Sequence, residues 1–517
     1  VISGQSSVLH LLHDAARACP NHVALIDGNV SVTYRDYVRS VSAFAEHLCS
    51  VGAAGKRVIL LCQNSVDFAI ALYGIYAAGG QAVPVSPIFT EHELRIIITD
   101  CTPAVCIGDS ARAIDKFRSI CGTTSGISLI QTGPGSASLL EESGGRKHYN
   151  LTDSCLPKPG QLANLLYTGG TTGRPKGVNL THSQQLVNLD QRQALVPLAE
   201  QKERILCFMP MCHSFAMSLC VQGAVHSRNT LVVKKKFHPQ SVLESLQEER
   251  ITCLPAGPTA LISLLAYGKF DDYDLSTLQL VISGSAALPL ETLVAWERAT
   301  GSIICEGYGQ TEAGPVLTFN PRRGLRKPGT VGVVIPETTL RIVDTAAPES
   351  IVETGVAGEI CASGPQLMRN YHNRPAENAE ALRDGWLFTG DIGFLDEDGY
   401  LTICDRKKDM VIVSGYNVYP REVNEVLLQH PDVVEAATIG VEDAYRGEVI
   451  HSFIATRKDR GVADGEMQKF CERFLASYKI PIAIHSVDVL PKTSIGKIDL
   501  VALRQRLEDV LEAQAGS

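Results

Sequence analysis

The residues best spaced for chemistry form the stretch Leu166-Tyr-Thr-Gly-Gly-Thr-Thr-Gly-Arg-Pro-Lys-Gly-Val178. The apolar run Leu162 to Tyr167 reads as a buried strand, and it empties into a turn of Gly, Thr and Lys. Glycines let successive backbone N–H groups face an anion, and threonine hydroxyls and one lysine add donors. Such a turn is a phosphate cradle. It is not a Walker A loop, because Gly177 rather than Ser or Thr follows Lys176. A Gly/Thr-rich surface turn is the bland alternative for a loop of this kind standing alone.

Thr168, Gly170, Thr171, Thr172, Gly173, Pro175, Lys176 and Gly177 resemble the AMP-binding signature of the adenylate-forming enzymes, with Gly169 as the one departure. These are the acyl-CoA synthetases, luciferases and adenylation domains of peptide synthetases. Gly169, where many members carry Ser, is similar to the fatty-acyl-CoA ligase branch. Three further segments extend the resemblance over nearly the whole chain: Glu306-Gly-Tyr-Gly-Gln-Thr-Glu312, Trp386-Leu-Phe-Thr-Gly-Asp391 and Pro491-Lys-Thr-Ser-Ile-Gly-Lys497.

The resemblance implies roles for single residues. Gly284, Ser285 and Ala286, after an apolar run ending at Ile282, would wall the adenine site, with Tyr308 offering a stacking face. Gly307 and Gly309 are expected to bend the chain there. Thr311 would donate to the α-phosphate, and Glu312 is a hard oxygen ligand suited to Mg²⁺. Asp391 would accept both ribose hydroxyls; its alternative is a turn-capping Asp before a strand at 392–395. Arg406 would contact ribose and phosphate, and Lys408 falls at the hinge. Gly415, lacking a side chain, would admit a pantetheine arm. Lys497 would supply the positive charge that lets a carboxylate meet the α-phosphate of ATP.

His213, in Pro210-Met-Cys-His-Ser-Phe-Ala216, resembles the family's acyl-pocket histidine, with Ala216 where Gly is common. The alternative is a structural histidine capping a strand end. With Phe215, Gly307, Ala313 and Val316 it outlines an acyl pocket of small and apolar residues, joined by Ser283 to Ser285. Amino-acid-activating relatives place an Asp after an aromatic here. This chain has Ser214, and a buried ammonium left unpaired is costly, so an aliphatic, alicyclic or simple aromatic acid is expected rather than an α-amino acid. The implied reaction joins a small carboxylic acid to AMP with release of pyrophosphate, using ATP and Mg²⁺, and passes the acyl group to CoA. An amine or a carrier-protein thiol is the alternative acceptor. A non-catalytic AMP-binding protein would be expected to have lost Lys497 or Glu312, and both are present.

The rest of the chain must position these residues. Its 517 residues call for more than one domain, and 45% hydrophobic residues suffice for a large core. A net charge of −9 argues against nucleic acid as a main partner; Lys234-Lys235-Lys236 reads as a solvated strand end. The 15 cysteines include no C-x-x-C pair and read as buried thiols of a reducing compartment. A zinc site from Cys207, Cys212, His213 and Cys220 has no recognised spacing behind it. No signal peptide pattern opens the chain, and the apolar stretch from Phe68 is broken by Gly79-Gly80, Pro84 and Pro87, so no membrane span is expected and the cytoplasm is the default location.

Helical spacing covers 8–18, 37–51 and 65–78. Strands are expected at 57–62, 81–85, 104–107 and 127–130, with a hairpin about Asp27-Gly28-Asn29. Alternating strands and helices mean an α/β fold with mostly parallel sheets. The expected division is an N-terminal domain over 1–405 with stacked sheets and a β-rich part, a hinge at 406–409, and a small mobile α+β domain over 410–517.

Overall fold

The computed structural model describes residues 7–122, 126–133, 138–140, 156–168, 175–414, 416–443, 445–457, 465–492 and 498–515. Gly169, Gly170, Thr171, Thr172, Gly173, Gly415 and Lys497 lie outside them. The chain falls into two compact units. The first takes Val1–Thr339 and Ala362–Leu387, the second Leu340–Cys361 and Phe388–Ser517. Residues 340–361 and 388–405, expected in the N-terminal domain, are grouped with the C-terminal unit, and residues 406–409 lie within that unit's span.

The first unit holds two sheets. In one, Val23–Asp27, Thr230–Val233, Arg204–Cys207, Cys253–Ala256, Leu280–Ser283 and Ile303–Gly309 run parallel side by side. Antiparallel strands close both ends, Val30–Thr33 at one and Val316–Phe319 followed by Val333–Val334 at the other. The four inner parallel strands, Leu280–Ser283, Cys253–Ala256, Arg204–Cys207 and Thr230–Val233, are buried on both faces but for Arg204, as their apolar runs require. In the second sheet Ser128–Gln131, Val105–Gly108, Arg57–Leu61, Gln81–Pro84 and Leu162–Thr168 run parallel, and Lys176–Thr181 and Asn370–Tyr371 add antiparallel strands.

The α/β expectation holds, and the hairpin turns at Gly28 with φ +57°. Several helices lay outside the expected set, among them Glu91–Cys101 and Ala111–Cys121. The first carries a readable signal: Thr90 and Glu93 form a capping box.

In the second unit Leu401–Arg406 pairs antiparallel with Trp386–Leu395. A further sheet joins Tyr416–Val418, Val411–Val413, Gly447–Thr456 and Val433–Asp443 antiparallel, with Ala483–Val487 parallel to Gly447–Thr456. Helix Pro420–Leu428 buries Val423, Val426 and Leu427 in the core beside this sheet. Among the described residues no helix is long and apolar enough to cross a membrane, and no group of three or more His, Cys, Asp or Glu could hold a metal ion.

Candidate active site

The phosphate turn leaves Leu162–Thr168 and returns as Lys176–Thr181, an antiparallel strand absent from the sequence reading. Thr168 and Lys176 face each other in the ladder, and Thr168 Oγ1 donates to the Lys176 carbonyl at 3.5 Å. A turn that returns as a strand differs from the strand-to-helix entry of a P-loop. The strand Asn370–Tyr371 lies along the return strand, with Tyr371 opposite Val178. The Lys176 ammonium sits 4.4 Å from the centre of the Tyr371 ring, within the reach of a cation–π contact. The Tyr371 hydroxyl then donates to Glu312 Oε1 at 2.8 Å. One tyrosine thus joins the cationic end of the phosphate turn to the carboxylate expected to hold a metal.

Glu312 sits in the short turn Thr311–Ala313, 7% exposed, and its carbonyl accepts from Met368 N at 2.8 Å. Gly314 ends that turn at φ +89°, a conformation open to glycine. Thr311 Oγ1 lies 3.1 Å from Ser214 Oγ, so the expected phosphate and acyl segments meet. His213 caps a helix, not a strand: its Nδ1 accepts from Phe215 N at 3.4 Å at the start of Ser214–Ala216. That helix continues as a π-helical turn, Met217–Gln222, and ends at His226. Such wide turns concentrate at functional sites.

Gly307 and Gly309 were expected to bend the chain, and the pairing of their strand with Val316–Phe319 slips between Tyr308 and Gly309. Gly307 lies in the strand Ile303–Gly309 and Gly309 ends it, and neighbours press on both. A Cβ on Gly307 would fall 2.2 Å from the Phe319 ring, and one on Gly309 would fall 1.9 Å from the Pro315 carbonyl oxygen. A Cβ on Gly284 would meet the Phe215 ring at 3.2 Å and the Gly307 carbonyl at 3.4 Å. Phe215, Gly284 and Gly307 are therefore brought together. Ser285 stands at φ +72° and is exposed with Ala286, while Tyr308 is half-buried opposite Thr318. Ala313 and Val316 are buried, and the Asn188 side chain clasps both backbone polar groups of Val316.

In the second unit Asp391 lies within the strand Trp386–Leu395 rather than ahead of one. It pairs with Arg406 across the ladder, and Arg406 Nε stands 3.2 Å from Asp391 Oδ1. Asp391 is buried and Arg406 half exposed. Lys408 is exposed in the turn that follows. Burial lifts the Asp405 carboxyl to about 6, against the backbone N–H bonds it accepts from Arg421 and Arg406.

Asn188 and Tyr371 had no site role in the sequence, and Ser214 entered only as the residue standing where an Asp would hold an ammonium. Asn188 and Tyr371 stand 128 and 59 residues from their partners, a separation no local pattern spans.

A family model described as AMP-binding enzyme matches residues 12–372, and one described as AMP-binding enzyme C-terminal domain matches residues 422–497. The chain belongs to the AMP-binding enzymes. It is 35% identical to a long-chain-fatty-acid–CoA ligase of Bacillus subtilis (strain 168), over 96% of this chain and 93% of that one. Among solved structures it is similar to ATP-bound MatB from Rhodopseudomonas palustris, with a TM-score of 0.90, 28% identity, and coverage of 98% and 100%. It is also similar to the amide bond synthetase McbA from Marinactinospora thermotolerans, with a TM-score of 0.86, 25% identity, and coverage of 97% and 99%. The Gly-Gly form of the phosphate turn and the four motifs thus belong to an adenylate-forming enzyme of the acyl-CoA synthetase kind.

Proposed function

We propose that this AMP-binding enzyme joins a carboxylic acid to CoA in two half-reactions. In the first, a carboxylate oxygen attacks the α-phosphorus of ATP. The acyl–oxygen–phosphorus link forms, the bond to the β-phosphate breaks, and pyrophosphate leaves. In the second, the CoA thiol attacks the acyl carbon, loses its proton, and AMP departs. The curated relatives, named as CoA ligases, support this sequence of steps.

The observation that carries the reading is the Lys176–Tyr371–Glu312 chain. It sets a cation where the leaving phosphates would lie and a buried carboxylate one hydroxyl away. Residues Thr168 to Lys176 would hold those phosphates. Glu312 suits Mg²⁺ as a hard oxygen donor whose orientation is fixed by the Tyr371 bond, and the ion would neutralise phosphate charge. Thr311, beside Ser214, would donate to the α-phosphate. Lys497 would bring the two anions together. Asp391 and Arg406 would take the ribose, Gly284, Ser285, Ala286 and Tyr308 the adenine, and His213 with Phe215, Gly307, Ala313 and Val316 the acyl end. Turning at Lys408 within the hinge 406–409 would withdraw Lys497 and present Gly415 to the acceptor.

The test separates the half-reactions. Lys497→Ala loses pyrophosphate release yet still converts supplied acyl-AMP, and Gly415→Leu does the reverse. Equal loss of both steps in both variants would refute the two-position account. The likeness to McbA favours one second reading, transfer to an amine. Offering acyl-AMP together with CoA, amines and holo-carrier protein, and identifying the product, decides between them.

A further inference from the structure

Helix Glu91–Cys101 ends at Asp100 and Cys101. The carbonyls that close a helix give its last turn negative character, which favours a cation there. Asp100 stands in that turn instead, with its side chain 10% exposed. A largely buried carboxylate set against a helix end breaks a local rule, and its partners must come from elsewhere in the fold.

They come from the two segments that flank the return strand of the phosphate turn. Tyr167, next to last in Leu162–Thr168, donates its hydroxyl to Asp100 Oδ2 at 2.7 Å. Burial pushes that phenol above its ordinary range, so it keeps the proton it donates. Arg374, just beyond Asn370–Tyr371, donates from Nη1 to Asp100 Oδ1 at 3.3 Å. His372 Nε2 lies 3.3 Å from the Asp100 carbonyl oxygen. Each carboxylate oxygen thus has its own donor, one on the strand that enters the phosphate turn and one on the segment that carries Tyr371.

Gly177 lies between the two. It stands opposite Tyr167 in the ladder, and its carbonyl accepts from His372 N at 2.7 Å. A Cβ on Gly177 would fall 2.8 Å from Leu165 Cδ1 and 3.2 Å from Tyr167 Cζ. The glycine that follows Lys176 therefore leaves the space that the Tyr167 ring occupies on its way to Asp100.

We propose that Asp100 is a positioning residue for the leaving phosphates, acting through Tyr167 and Arg374. Its two oxygens join the root of the phosphate turn, where Thr168 faces Lys176, to the segment whose Tyr371 meets Lys176 and Glu312. The inference rests on the acid-activating reading above and adds to it a residue that fixes the phosphate end. A neutral amide at this position would have one accepting oxygen for two donors and would turn its N–H groups toward one of them.

Pyrophosphate release is measured against MgATP and against the acid, and thioester formation is measured from supplied acyl-AMP, which carries no leaving phosphates. Asp100→Asn and Tyr167→Phe each raise the KM for MgATP by about tenfold, the loss of one bond to a charged group. Both leave the KM for the acid and the conversion of acyl-AMP unchanged. The double variant goes no further than Asp100→Asn alone, because both changes remove the same bond. Asp100→Glu, which keeps both acceptors, recovers part of the loss. Thermal melts report folding; if Asp100→Asn does not fold, Tyr167→Phe, which leaves the carboxylate its Arg374, decides by the same split. Equal loss in both half-reactions, or single effects that multiply in the double variant, would overturn the proposal while leaving acid activation intact. Failure of every carboxylic acid to yield AMP with the natural chain would overturn both.

Discussion

Replacing Tyr371 by Phe removes one oxygen from the centre of the site and leaves the ring in place. The lost bond is an O–H donor to a carboxylate at 2.8 Å, between residues 5% and 7% exposed. Water cannot readily replace it. A hydrogen bond to a charged group contributes about 1.5–3 kcal/mol net, and Glu312 is left with an unmet acceptor. The Lys176 ammonium, 4.4 Å from the ring centre, keeps its contact, worth about 0.5–2 kcal/mol. Tyr371→Phe should therefore lower the melting temperature by several degrees, at about 2–4 °C per kcal/mol for large domains. It should also raise the KM for MgATP by about tenfold, the equivalent of roughly 1.4 kcal/mol, because the carboxylate is no longer aimed. Tyr371→Leu, which also removes the ring from beneath Lys176, should exceed it in both measurements. Calorimetry and steady-state pyrophosphate release read the two effects. A Phe variant that matches the natural chain in melting and in KM would refute the claim that this hydroxyl links the phosphate turn to Glu312.

Gly309→Ala places a Cβ 1.9 Å from a backbone oxygen, which has no flexible end to yield; a loss of about 1–3 kcal/mol or more is expected in thermal unfolding, and an unchanged melt would show that the strand can shift. Arg322 pairs with Glu203, 3% exposed, at 3.0 Å, so Arg322→Met strands a buried carboxylate and should cost about 3–5 kcal/mol; a loss below about 1 kcal/mol would place water beside Glu203. Burial holds His182 at about 3 against an ordinary 6.5. The folded chain then binds fewer protons than the unfolded one, so this stability is present above about pH 6.5 and disappears as pH falls toward 3, roughly 4–5 kcal/mol in all. Melts of the natural chain and of His182→Gln across that window check it: the variant should decline less steeply, and parallel curves would refute the assignment.

The sequence carried the parallel strands of the second sheet because each is a short apolar run between breakers, and it carried the hairpin because Gly28 marks a left-handed turn. The return strand Lys176–Thr181 was not legible: it alternates without a β-rich run and gains its identity from pairing with Leu162–Thr168. Gly307 and Gly309 illustrate a different gap. Their presence was plain, but a glycine needed for φ and a glycine needed for space look alike in sequence. Only Phe319 and Pro315, brought in by the next strand, tell them apart. Glu312 was legible as a carboxylate in a motif, whereas the hydroxyl that aims it belongs to a two-residue strand, Asn370–Tyr371, too short to leave a periodic trace.

The antiparallel strands at the sheet ends explain how the site gains its precision. Parallel strands gather functional residues at their C-terminal ends, and Leu162–Thr168 and Ile303–Gly309 deliver the phosphate turn and the Thr311–Ala313 turn in that way, each from its own sheet. Two turns on separate sheets have no backbone ladder between them. Asn370–Tyr371 belongs by hydrogen bonding to the sheet of the phosphate turn, and its tyrosine reaches the turn of the other. Met368, two residues before it, bonds the Glu312 backbone as well. The same short segment therefore fixes the carboxylate at both its main chain and its side chain. A shift of one sheet against the other would have to break both bonds before Glu312 could leave Lys176, which makes the separation of cation and carboxylate a property of this segment more than of either sheet.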